Sequence, residues 1–268
     1  VAPTAEPLAV RPPAAGPSAT LRPQRLLQQA AQDAARRHTP SGLGLDSATV
    51  RARMVQRLRA GGIVCEPVLR AFGQVERHRF VDTALATQAY EDTSLPIGLQ
   101  QTISKPSVVA HMLALLFDGG RARQDGHLGR VLEVGTGCGY QAALLALLAR
   151  SVVSIERLKP LHEKARENLA ALRQGAGAAR PDIRLVFGDG LLGHAPRAPY
   201  DGIIAAAGGD ALPPAWLDQL AEGGRLIAPC AHPVRGGQAL LVVDREPGGL
   251  VQRWLDEVKF VPLKSGTR

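Results

Sequence analysis

The sequence predicts an α/β fold: a Rossmann-like, doubly wound, mostly parallel sheet with an N-terminal helical cover and antiparallel C-terminal strands. Three observations predict it. Arg130 to Glu156, RVLEVGTGCGYQAALLALLARSVVSIE, runs from a short apolar stretch through a glycine turn and an Ala/Leu-rich segment into a second apolar stretch, the order strand, turn, helix, strand. Further short apolar runs at Ile183 to Phe187 and Tyr200 to Ala205 alternate with helical spacing, as parallel strands and their crossover helices do. Gln238 to Val243 and Leu250 to Phe260 flank Pro247-Gly248-Gly249 and read as a closing antiparallel pair.

At 268 residues, 45% hydrophobic and 21% charged, the chain is long enough to bury a core and has an ordinary globular composition. No apolar run approaches the roughly 18 residues of a membrane span. The opening VAPTAEPLAVRPPAAGPS lacks the apolar block of a secretory signal, so a cytoplasmic protein without a membrane partner is expected. Cys65, Cys138 and Cys230 are odd in number and widely spaced, which suggests neither a disulfide framework nor a metal site. The net charge of +8 raises nucleic acid as a partner. It divides into +3 over residues 1–45 and +5 beyond, with no dense Lys/Arg run, and aromatics at 4% offer too few stacking faces. No nucleic-acid partner is expected, and a monomer is the default.

Residues 1–45 are rich in Pro, Ala, Gly and Gln without a sustained apolar period, the composition of a disordered extension. A single domain is expected over 46–268, with a helical and substrate-loop part at 46–117 and a cofactor-binding core at 128–268. Asp46 or Ser47 can cap a helix carrying Val50, Met54, Val55 and Leu58, which Gly61-Gly62 can end. Pro67 suits the first turn of a second helix with Leu69, Phe72 and Val75. Gln101-Thr102-Ile103-Ser104-Lys105-Pro106 then leads into a helix with Val109, Met112, Leu113 and Leu116 on one face. Ser104 can serve as its N-cap or offer a hydroxyl to an anionic group.

In the turn Gly135-Thr136-Gly137-Cys138-Gly139 the missing Cβ atoms let a ligand approach the main chain, and the helix that follows favours an anionic group. Glu156, at the end of the next strand, can accept hydrogen bonds from ribose hydroxyls. A dinucleotide fingerprint needs a third glycine where Tyr140 stands. A glycine turn without a ligand is the other alternative. The acidic-x-G-x-G-x-G pattern, with Glu133 as its acidic member, resembles motif I of the class I methyltransferases, which bind S-adenosyl-L-methionine. Leu158 to Leu172 has helical spacing, and the strand Ile183 to Phe187 closes on Gly188-Asp189-Gly190, at the same rim and within reach of an adenine. No Asn/Asp-Pro-Pro-aromatic sequence follows the strand Tyr200 to Ala205, which counts against nitrogen methylation.

R-x-R-F-V-D from Arg77, L-P-I-G from Leu95, Q-T-I-S-x-P from Gln101, L-E-V-G-T-G-x-G-Y-Q from Leu132, L-x-x-G-G-x-L-x-x-P from Leu220 and F-V-P-L from Phe260 closely resemble the protein L-isoaspartate (D-aspartate) O-methyltransferases. These are the repair enzymes for isomerised aspartyl residues, and the resemblance runs from roughly Val50 to Leu263. It implies methyl transfer from S-adenosyl-L-methionine to the free α-carboxylate of L-isoaspartyl residues in damaged proteins and peptides. The ester then closes to a succinimide whose hydrolysis can restore a normal aspartyl link. A carboxylate is already ionised near neutral pH, so alignment and water exclusion matter more than a strong base.

By the same resemblance, Glu133 with Gly135, Thr136, Gly137 and Cys138 holds the methionine end, Glu156 the ribose and Asp189-Gly190 the adenine. Gln101, Thr102, Ile103 and Ser104 lie beside cofactor and substrate, with Ser104 the catalytic candidate that orients the carboxylate. Three departures stand out. Gln100 occupies the second glycine of the usual G-x-G-Q-T-I-S and is strained if φ is positive there. Cys138 replaces the usual serine, and Ala206-Ala207-Gly208-Gly209-Asp210 lacks the familiar Ala-Ala-Pro. The competing readings are a methyltransferase for another carboxylate or small molecule, and an inactive protein that binds the cofactor or damaged chains.

Overall fold

A computed structural model describes residues 48–175 and 182–268. The extension expected at 1–45 and the cap expected at Asp46 or Ser47 lie outside these residues. The central sheet has seven strands in the order β5-β4-β3-β6-β7-β8-β9. They are β3 (Arg130–Val134), β4 (Ser151–Glu156), β5 (Ile183–Phe187), β6 (Tyr200–Ala205), β7 (Leu220–Ala231), β8 (Gln238–Glu246) and β9 (Gly249–Val258). β5, β4, β3, β6 and β7 run parallel, β8 pairs antiparallel with β7, and β9 pairs antiparallel with β8. Strand order reverses between β3 and β6, and in an open α/β sheet a ligand crevice forms outside the carboxyl ends of such a pair.

Strands buried on both faces need apolar side chains in both directions. Val131 packs with the cluster on one face of the sheet, and Leu132 and Val134 with the cluster on the other. Glu133, on the face that Val131 occupies, is the one ionisable side chain buried within β3.

The helical cover is α1 (Ala48–Ala60), α2 (Glu66–Gln74) and α3 (Pro106–Phe117). α1 ends at Gly61-Gly62 as expected, Gly62 taking φ +97°. Phe72, Phe80, Met112 and Leu113 from this part join Tyr140 and Leu144 of α5 (Tyr140–Ala146) in one apolar core. Two 3₁₀ turns (Arg77–Phe80 and Thr83–Gln88) and a short α4 (Gly120–Asp125) were not expected, being too short to show a period. α6 (Lys159–Gly175) precedes β5, and α7 (Pro214–Gln219) precedes β7.

Between cover and sheet lies a hairpin that the sequence does not announce. β1 (Leu95–Gly98) pairs antiparallel with β2 (Gln101–Ile103). Its two tip residues, Leu99 at φ +52° and Gln100 at φ +58°, are both left-handed. That is the backbone of a two-residue type I′ turn, which favours Asn-Gly.

Ser104 is not the N-cap of α3. Lys105 takes that position without a side-chain bond, and the capping carboxylate comes from Asp92. Asp92 Oδ1 accepts from the Ser107 amide at 2.8 Å and Oδ2 from the Ser107 hydroxyl at 2.8 Å. With an acceptor already at the helix N-terminus, Ser104 is released from that role.

Candidate active site

The glycine turn leaves β3 at the point of strand reversal. Gly135, Gly137 and Gly139 have φ of +92°, +56° and +92°, a succession that only glycine adopts without strain. At Gly137 the space also matters, because a Cβ there would lie 3.2 Å from Ile97 Cδ1. The Gly137 amide donates to Glu156 Oε2 at 2.9 Å, and the Leu158 amide donates to Oε1 at 2.9 Å. Two main-chain donors thus lock the carboxylate at the carboxyl end of β4. Each oxygen keeps a further lone pair for a ligand hydroxyl.

This turn, Glu156 and the hairpin line a cleft of about 540 Å³. Gln101, Thr102, Ile103, Ser104, Gly135, Thr136, Gly137, Cys138, Glu156 and Gly190 all lie on its wall. A Cβ at Gly190 would come within 2.5 Å of Val134 Cγ1, so glycine is required there too. Cys138 is buried, and burial pushes its thiol up to about 11, which keeps it neutral. The Ser104 hydroxyl has no hydrogen-bond partner among the described residues, while its carbonyl accepts from Arg77 Nη2 at 2.8 Å.

Two expected site residues stand elsewhere. Glu133 is fully buried beneath the turn and absent from the cleft wall. Its Oε2 accepts from the Ser154 hydroxyl at 2.5 Å, Ser154 Oγ lies 2.6 Å from the Thr136 hydroxyl, and Oε1 has no partner within hydrogen-bond geometry among the described residues. Ser154 and Thr136 link it to the turn, because a β3 side chain on that face points into the core. Burial pushes this carboxyl up to about 8, with a smaller push from the Glu156 charge and a pull down from Ser154 and Gln141. The Asp189 carboxylate is likewise engaged by protein, accepting from Leu191 N at 2.9 Å and Gly266 N at 2.6 Å. It is absent from the wall, which its neighbour Gly190 supplies.

Sequence reasoning missed the closing segment as part of the site. Val261 to Leu263, Lys264 and Arg268 line the cleft. The Arg268 amide donates to the Arg157 carbonyl and the Lys159 amide to the Arg268 carbonyl, both at 2.8 Å, while Arg157 Nε donates to Gly266 O at 2.9 Å. F-V-P-L marks where this segment starts, and nothing local shows where it goes. A second cavity of about 440 Å³ shares Thr102, Ser104, Ala206 and Val261 with the first and adds Lys105, Glu257, Lys259 and Phe260. Ser104 therefore stands in the wall common to both.

A family model described as protein-L-isoaspartate(D-aspartate) O-methyltransferase (PCMT) matches residues 49–268. A Methylibium petroleiphilum protein-L-isoaspartate O-methyltransferase is 60% identical over 253 residues, covering 94% of this chain and 91% of the relative. One from Leptothrix cholodnii is 61% identical over 248 residues, covering 92% and 84%. Among solved structures, a protein-L-isoaspartate O-methyltransferase aligns with TM-score 0.68 at 28% identity, over 80% of this chain and 66% of that one. A Plasmodium falciparum protein described as a member of the same class, solved with S-adenosyl-L-homocysteine, aligns with TM-score 0.66 at 24% identity, over 79% and 97%.

Proposed function

Because this chain belongs to the protein-L-isoaspartate(D-aspartate) O-methyltransferase family, we propose that it is a protein repair enzyme methylating the free α-carboxylate of L-isoaspartyl residues with S-adenosyl-L-methionine. The observation that carries the assignment of roles is Ser104 in the wall shared by two cavities, one built around a glycine turn and a buried acid, the other open beside it.

The residues present fit the donor: a glycine cradle that a Cβ would fill, and a Glu156 carboxylate with spare acceptor capacity. When bound, S-adenosyl-L-methionine supplies a methyl group made electrophilic by its sulfonium. In this reading Glu156 accepts from ribose hydroxyls, the glycine turn holds the methionine end, and Gly190 borders the adenine. Glu133 supports the methionine end indirectly, holding Thr136 through Ser154. Asp189 ties the closing segment down over the adenine side through Gly266. Ser104 and the Gln101–Ile103 strand orient the substrate carboxylate, while the hairpin and the closing segment exclude water. The second cavity receives the polypeptide on either side of the damaged residue. The same proposal has the enzyme act as a cytoplasmic monomer, which sedimentation and cell fractionation check.

The decisive experiment offers labelled S-adenosyl-L-methionine with an isoaspartyl peptide and its normal aspartyl twin. Base-labile label should enter the isoaspartyl peptide alone. Equal labelling of both, or of neither, sinks the proposal.

A further inference from the structure

Arg77 is 0% exposed and forms no ion pair among the described residues, the Asp92 charge reaching it only from beyond contact. Burying a guanidinium costs several kcal/mol, and an apolar side chain of similar size often serves stability better. Its contacts show what the charge is used for. Nε donates to the Ala89 carbonyl at 2.7 Å, and Nη2 donates to the Ser104 carbonyl at 2.8 Å and, at 3.4 Å, to that of Thr93. The guanidinium carbon lies 4.9 Å from the centroid of the Tyr140 ring, a cation–π contact with the first residue of α5. Tyr140 follows the glycine turn directly and lines the cofactor cleft. One rigid side chain therefore touches the main chain of Ser104 and the helix that carries the cofactor turn.

We infer that Arg77 is a positioning residue that sets Ser104 against the cofactor turn, so that the two reactants meet in line. The inference rests on the reading of Ser104 as the residue facing the substrate. Arginine is needed because its planar fork holds three carbonyls and a ring face at once, which a lysine ammonium cannot do.

The test compares Arg77→Lys and Arg77→Ala with the unaltered enzyme, all checked for folding by circular dichroism. In R77K, kcat on an isoaspartyl peptide should fall on the order of 10- to 100-fold, the scale of a misplaced reacting group. Calorimetric affinity for S-adenosyl-L-homocysteine should stay nearly constant, and amides over residues 101–107 should lose protection from hydrogen exchange. Guanidinium ion, added below unfolding concentrations, should restore part of kcat in R77A and none in R77K. Retention of kcat in folded R77K overturns the inference. So does a loss of kcat that follows cofactor affinity or folded fraction, with unchanged exchange and no rescue. If the unaltered enzyme methylates no isoaspartyl peptide, the functional reading fails by itself, and the exchange data still decide whether Arg77 anchors this strand.

Discussion

Ser104, whose hydroxyl has no partner among the described residues, lines both cavities. A hydrogen bond to a charged group is worth about 1.5–3 kcal/mol, so Ser104→Ala should lower kcat/KM on an isoaspartyl peptide roughly 10- to 150-fold. Steady-state kinetics giving full activity would remove Ser104 from the chemistry. Glu133 yields a prediction of another kind. Burial raises its carboxyl from 4.5 to about 8, so over that interval the folded chain holds a proton that the unfolded chain has released. Its contribution to stability is whole below about pH 4.5 and is lost as pH climbs through about 8. Glu133→Gln is neutral throughout and should flatten this dependence, so Tm of the unaltered chain should fall relative to the variant between about pH 5 and about pH 8. Parallel melting curves would show that Glu133 titrates normally.

Among the elements, the β1–β2 hairpin carries the largest backbone conflict. A left-handed conformation costs a non-glycine residue about 1–2 kcal/mol, and Leu99 and Gln100 both adopt it. Gln101 offsets part of this, its Nε2 donating to the Leu99 and Gln100 carbonyls at 3.3 and 3.2 Å. The tip lines the cleft, and strain gathers at such places. Gln100→Gly should raise Tm by about 2–4 °C, the shift expected for roughly 1 kcal/mol in a domain of this size. An unchanged or lower Tm would mean that the Gln100 side chain makes up for its backbone.

For the molecule as a whole, the closing segment brings residues 261–264 and Arg268 onto the cleft that the glycine turn lines. Its main-chain bonds to Arg157 and Lys159 and the Asp189–Gly266 bond hold it there. Removing residues 264–268 should leave the sheet folded and weaken S-adenosyl-L-homocysteine binding about tenfold, near the worth of one or two net hydrogen bonds. Isothermal calorimetry on the shortened chain checks this. Unchanged affinity would reduce the segment to a surface strap.

Sequence by itself determined the strands of the central sheet and the longer helices in their order, the glycine turn and the acid that ends β4, but not the β1–β2 hairpin or α4. It determined the positive φ of Gln100 as a conditional, through a missing glycine. These are legible because periodicity and φ/ψ sterics act within a few residues of chain. Family motifs added the substrate, which no local pattern could name. Only the tertiary structure decided that Glu133 lies under the turn, that Asp92 caps α3 from 15 residues away and that Arg77 reaches Ser104 across 27. It also decided that Arg157 meets Gly266 across 109. A carboxylate or guanidinium looks the same in a sequence whether it faces solvent, a ligand or the core, and packing alone makes that choice.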